Sequence, residues 1–220
     1  MPGLDTKLHL DMLAGYREQL SLRNRVSSFL RKSITNRKVY GLNWGDPETA
    51  EPLRFIRDRY VLPYVKSEHS ALEIGPGGGR WTRYLLPFRR LYVVDYHQEL
   101  LDELRRNFRK PNMVFVKNNG SDFPGVPVNS VDFIFTFGTF VHLDTPLIDA
   151  YLESVRKILR PGGNAILHYS DKTKIMAREN TGFSENTPDK MRQLVLKAGF
   201  TILEEDLTTM WHSSLMRLTL

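Results

Sequence analysis

The sequence predicts an α/β fold: a doubly wound, mostly parallel sheet preceded by a helical extension. Three observations carry this reading. From residue 70 onward, short apolar runs alternate with stretches of helical periodicity, the pattern of parallel strands covered on both faces by crossover helices. The first of those runs ends in a turn holding Gly75, Gly77 and Gly79, from which a helix starts near Arg80. The last two apolar runs, 200–206 and 213–220, are joined by a connection too short for a parallel return, so they pair antiparallel.

The elements follow in order. Residues 5–34 carry apolar side chains at helical spacing, Leu8, Met12, Tyr16 and Leu20, then Val26, Phe29, Leu30 and Ile34. Arg17, Arg23, Arg25, Arg31 and Lys32 stand between them. An amphipathic helix or helix pair that packs on the main domain or covers its cleft is favoured. Attachment to an anionic membrane surface or to nucleic acid is the sharper alternative. Gly41, Asn43, Gly45, Asp46 and Pro47 break the chain into a loop over 36–47, and 48–65 reads as a helix with Pro63 near its end. The domain division is therefore 1–47, an extension or lid, and 48–220, the main domain. Within the latter, strand 70–76 leads to helix 79–87, strand 90–96 to helix 97–109, and 112–117 forms a third strand. Val131–Phe137 is nearly continuous in large apolar residues, which predicts a central strand. Helix 144–160 stops at Arg160-Pro-Gly-Gly, strand 164–169 follows, 171–188 is polar and irregular, and helix 187–198 ends at Gly199.

A chain of 220 residues holds one such domain plus the extension, and no apolar run approaches the length that crosses a bilayer. Residues 1–25 lack a signal peptide's apolar core, and with no cysteine there is no disulfide framework or thiolate site, so a cytoplasmic protein is expected. The net charge of +6 is concentrated at the front. Residues 1–40 carry eight Lys or Arg against three Asp or Glu, and 41–220 carry 23 against 22. A near-neutral main domain lacks the electrostatic footprint of a nucleic-acid cleft.

The glycine turn narrows the chemistry. Without Cβ atoms the main-chain N–H groups approach an anionic ligand group, and the following helix N-terminus favours negative charge. A dinucleotide fingerprint would need glycine at position 80, which is Arg80. The pattern present is Glu-x-Gly-x-Gly-x-Gly from Glu73 to Gly79, and Asp95 ends the next strand 22 residues after Glu73. With Val131-Asp-Phe-Ile-Phe and Leu159-Arg-Pro-Gly-Gly in the right order, residues 48–220 resemble the class I S-adenosylmethionine-dependent methyltransferases. That resemblance implies seven strands in the order 3-2-1-4-5-7-6 with strand 7 reversed. It also implies a site for S-adenosylmethionine. Gly75 and Gly77 would let the backbone approach the methionyl group, Glu73 would meet its ammonium, and Asp95 would take the ribose hydroxyls. A polar residue after the third strand would meet adenine, with Asn119, Ser121 and Asp122 all eligible and Asp122 weighted slightly. Phe137 or Phe140 would wall the sulfonium.

In the implied strand order His142, His168 and His212 fall at one rim of the sheet, beside Phe140, Tyr169, Asp171 and Trp211. Methyl transfer to a neutral hydroxyl needs alignment and removal of a proton, and imidazole suits that at neutral pH. His142 is expected as the base, with His168 or His212 orienting substrate or replacing it. A metal held by His142, His168 and Asp171 is the weaker reading, because the carboxylate-rich signature of metal-dependent relatives is missing. The expected acceptor is a hydroxyl of a small molecule or a saccharide. Trp44, Tyr40 and the cations of 171–188 are candidate lid and specificity elements. One other class stays open: a regulatory or partner subunit that binds the cofactor without transferring methyl.

Overall fold

The computed structural model describes residues 44–220, so the amphipathic helices expected within 5–34 lie outside the described residues. The first helix, α1 (Glu51–Ile56), starts with a proline in its first turn, where the missing N–H costs nothing. It continues through a π turn, Arg57–Val61, and a 3-10 turn, Leu62–Tyr64. The helix expected over 48–65 is therefore one rod of changing pitch over 51–64, its last turn tightened around Pro63, whose missing donor and ring bulk do not suit an α-helix interior. Then come β1 (Ser70–Ile74), α2 (Thr82–Leu85), β2 (Arg90–Asp95), α3 (Gln98–Asn107), β3 (Met113–Lys117) and β4 (Val131–Phe140). The chain closes with α4 (Thr145–Ile158), β5 (Leu159–Ser170), α5 (Ile175–Glu179), α6 (Pro188–Lys197), β6 (Thr201–Asp206) and β7 (Ser213–Thr219).

The seven strands lie in the order β3-β2-β1-β4-β5-β7-β6, with β7 antiparallel to both neighbours, as expected. Successive side chains point to opposite faces, so each central strand feeds two cores. Leu72, Ile74, Tyr92, Val94 and Ile134 pack on the α4 and α6 side, while Ala71, Leu91, Val93, Phe133 and Phe135 pack on the α1, α2 and α3 side. β1 pairs with β2 on one side and β4 on the other, so the strand order reverses at its C-terminal end. Ligands of open parallel sheets bind in the crevice this creates.

Four departures from expectation have local causes. The helix expected over 79–87 shrinks to α2, because Gly79 has φ +98° and cannot be helical. β4 runs past Phe137 to Phe140 through a bulge: Thr136 pairs with Leu167, but the next pair is Phe140 with Tyr169, with Gly138 at φ +83° between. β5 begins at Leu159 and absorbs the Pro-Gly-Gly by a register shift against Val131 and Phe133. The stretch 171–188, expected to be irregular, holds α5.

Candidate functional site

The turn after β1 forms the floor of the crevice. Gly75, Gly77 and Gly79 take φ +68°, +53° and +98°, so the whole turn depends on residues without a side chain. Their roles differ. A Cβ on Gly75 would lie 2.0 Å from Thr139 Oγ1, and one on Gly79 would lie 2.2 Å from the Phe108 ring. Gly75 thus admits β4 and Gly79 admits the end of α3. Gly77 lies between them in the turn and is half-exposed, like Gly75.

Two buried carboxylates flank this floor. Glu73 is 2% exposed, and its Oε2 accepts a hydrogen bond from Thr82 Oγ1 at 2.6 Å. Burial, with the nearby Asp95 charge, pushes its pKa up to about 8. Asp95 ends β2, accepts the His97 N–H at 2.8 Å, and is pushed up by burial to about 7. Burial outweighs the partners each carboxyl has, Thr82 and Arg80 for Glu73 and the His97 N–H and Lys117 for Asp95, so both stand to gain from the further compensation that an ammonium and ribose hydroxyls supply. Asn118 contributes a third such feature: its amide donates to Tyr151 Oη at 2.9 Å, while its buried Oδ1 has no partner among the described residues. S-adenosylmethionine, with an ammonium, a ribose and an adenine amino group, fits this donor-hungry set. Asn118 escaped the sequence reading, although a polar residue at a strand's C-terminal end was the signal for it. Asn119 is exposed, and its N–H donates to Asp122 Oδ1 at 3.0 Å. Asp122 therefore closes its own turn with one oxygen, which makes Asn118 the better-placed neighbour of the crevice.

Phe137 does not lie as expected. It is stacked flat on His168, with centroids 3.9 Å apart, and the Arg80 guanidinium sits 5.4 Å from its centre. A sulfonium there would meet a ring face already covered and a like charge, so the structure withholds Phe137 from that role. Phe140 is wholly buried against Tyr151 and is core. Arg80 is buried as well, and its Nη1 donates to the carbonyls of Trp44 and Gly45 at 3.3 and 3.4 Å. With Arg83 paired to Asp46, this holds residues 44–46 against the glycine turn.

The three histidines do converge, but only loosely. His168 and His212 have ring centroids 6.3 Å apart, and Phe183 stands between His212 (5.3 Å) and His142 (5.6 Å). Their chemistry diverges. His168 is 2% exposed. Its Nδ1 accepts the Gly138 N–H at 3.0 Å, which leaves Nε2–H to donate to Ser213 Oγ at 2.6 Å. Burial, then neighbouring positive charge, holds its pKa well below the ordinary value. With both nitrogens engaged it has no lone pair for a substrate, so it is not a base but a clamp between the β4 bulge and β7. His142 differs: its Nδ1–H donates to the Gly182 carbonyl at 2.7 Å, so Nε2 carries the lone pair. Burial lowers its pKa and keeps the ring neutral near pH 7. His212 is half-buried and lowered by burial and then Lys174, with no partner for its buried Nδ1. Trp211 beside it is 72% exposed.

Among the described residues no group of three His, Asp or Glu side chains is gathered to hold a metal ion. Asp171, weighed for one, gives Oδ1 to Thr173 and Oδ2 to Ser214 Oγ at 2.7 Å. No helix among the described residues is long and apolar enough to cross a membrane.

Comparison with known proteins accords with this geometry. Residues 71–163 match the family model described as a methyltransferase domain. A Mesorhizobium loti S-adenosylmethionine-dependent methyltransferase superposes with a TM-score of 0.65 at 12% identity, over 79% of this chain and 99% of that one. The CcbJ methyltransferase of Streptomyces caelestis gives 0.63 at 16%, over 80% and 98%. The glycopeptide N-methyltransferase MtfA, crystallised with S-adenosylmethionine, gives 0.59 at 16%, over 77% and 86%. At such identities the likeness carries the fold. A search of the curated proteins finds no match.

Proposed function

We propose that this chain, which belongs to the class I S-adenosylmethionine-dependent methyltransferases, methylates a hydroxyl of a small molecule or a saccharide, with His142 taking the hydroxyl proton. The bound cofactor supplies a methyl group on a cationic sulfur. Gly77 presents main chain to its amino-acid end, Glu73 balances the ammonium, Asp95 accepts from the ribose, and Asn118 Oδ1 is free to accept from the adenine amino group. Holding donor and acceptor in line accounts for most of the rate.

The single observation that carries the hydroxyl reading is the tautomer of His142. Nδ1 keeps its proton and donates it in a hydrogen bond to the Gly182 carbonyl, leaving Nε2 as a neutral acceptor just beyond the C-terminal end of β4. A neutral amine acceptor arrives with its lone pair free and has no need of such a base, whereas a hydroxyl gains about a hundred- to ten-thousand-fold from one. His212 Nδ1, unpartnered, and the exposed Trp211 ring offer a polar handle and a flat wall to the acceptor.

The test is a screen of hydroxylated metabolites and saccharides that reads demethylated cofactor, repeated with His142→Ala. Turnover of the variant should fall about a hundred- to ten-thousand-fold with cofactor affinity unchanged. The acid limb of kcat, which lies below the ordinary imidazole range, should vanish with it. Unchanged turnover removes the base, and methylation confined to amines removes the hydroxyl reading.

A further inference from the structure

The charges of the main domain nearly cancel in sum but are unevenly placed. At the rear of the sheet, where β1, β2, β4 and β5 begin, the parallel register sets Ser70 beside Arg90 and Val131 beside Leu159. A recess of about 380 Å³ opens there, lined by Ser70, Arg89, Arg90, Tyr92, Ser130 and Arg160. Three guanidiniums therefore meet around one concavity. Asp132 is the acid that reaches them, and both its oxygens are engaged: Oδ1 accepts from Arg160 Nη1 at 3.0 Å and Oδ2 from the Ser70 N–H at 2.8 Å. Arg89 and Arg90 form no ion pair among the described residues, so the recess holds a surplus of positive charge.

Its wall is also a donor. Tyr92 is 3% exposed, and its oxygen accepts from Arg90 Nη1 at 3.4 Å, which leaves its own O–H with no acceptor among the described residues. Solvated arginines are ordinary on a surface. Arginines that share a recess with a buried phenol donor, with their one carboxylate already committed, are not.

We propose that this rear recess binds a phosphate group, carried by a free phosphorylated compound or by a phospholipid headgroup. Guanidiniums match a tetrahedral oxyanion with paired N–H donors, and the phenol adds one more. The site lies at the N-terminal ends of the strands, opposite the crevice, so it is independent of methyl transfer and of the hydroxyl reading.

The test uses the full chain in phosphate-free, low-salt buffer. Isothermal titration with inorganic pyrophosphate reads the free source. Sedimentation with phosphatidylcholine vesicles, with and without phosphatidic acid, reads the lipid source. Arg89→Gln combined with Arg90→Gln should weaken whichever probe binds by about tenfold or more. Asp132→Asn, which keeps an acceptor for the Ser70 N–H but removes the competing charge, should strengthen it. Both arginines are exposed, so an unchanged melting temperature confirms that the double variant is folded. Loss of pyrophosphate binding in the double variant supports a free ligand, and loss of vesicle binding alone supports a headgroup. Binding of neither probe, or binding indifferent to the double substitution, overturns the proposal.

Discussion

Cofactor binding should be linked to proton release, and Glu73→Gln isolates the main source. In the unliganded protein Glu73 keeps its proton up to about pH 8 and Asp95 up to about 7. An ammonium beside Glu73 and hydroxyls beside Asp95 require both to be ionised. Between pH 6.0 and 7.5 the fraction of ionised Glu73 rises about 25-fold and that of Asp95 about eightfold, so affinity should climb by their product. The upper limit stays below the range of the ligand's own amine, at about 7.7–8.0, whose loss of charge would reverse the trend. Glu73→Gln should bind more weakly at pH 7.5 and keep only the smaller, roughly eightfold slope. The same residue sets an opposite trend in stability. An unfolded Glu73 ionises near 4.5 and the native one near 8, so the stability present below 4.5 is lost as pH rises, by about 4 kcal/mol at pH 7.5. The glutamine variant should accordingly melt higher than wild type when unliganded at pH 7.5. Titration calorimetry in two buffers of different protonation enthalpy counts the released protons. Wild-type affinity that does not change with pH would refute the assignment, as would a variant with the full wild-type slope.

Two other substitutions test the scaffold around the crevice. Gly75→Ala places a Cβ at positive φ and against Thr139, which together cost about 2–5 kcal/mol; adding Thr139→Ala should return the steric part and leave the backbone part, readable as coupling in a double-mutant cycle. His168→Ala unpairs the Gly138 N–H and Ser213 Oγ and opens a cavity, so thermal unfolding should show a loss of about 3–5 kcal/mol, while turnover per folded molecule is retained. Because the native site refuses a proton that the unfolded imidazole takes up below about 6.5, wild-type stability should fall on the acid side of that value, and the variant should lose that dependence.

The strands and the glycine turn were legible because both rest on local signals, and the strand order followed from the resemblance those signals carry. Short, nearly continuous apolar runs set the strands, and the Glu73-to-Gly79 pattern with Asp95 marked the turn at the end of β1. What escaped depends on contacts across the sheet. Nothing local reveals that Phe137 lies against His168, or that Ser213, 45 positions further along the chain, completes the clamp on His168. Gly75 read as ligand-facing, and its missing Cβ also makes room for Thr139, since spacing identifies a residue that must be small without saying what fills the space. Asn118 lost to Asp122 because charge looked more purposeful than burial; the side chain of Asn118 is sealed beside Tyr151, while Asp122 folds back on its own turn.

The irregularity in β4 has a wider mechanical meaning. Within five positions it wedges Thr139 under the first glycine, lays Phe137 on the β5 imidazole, and launches His142 toward the opposite lip. The donor and acceptor halves are thus levered from one fulcrum. If occupants on the two sides of this segment are coupled through it, reciprocity requires each to alter the other's affinity by the same factor.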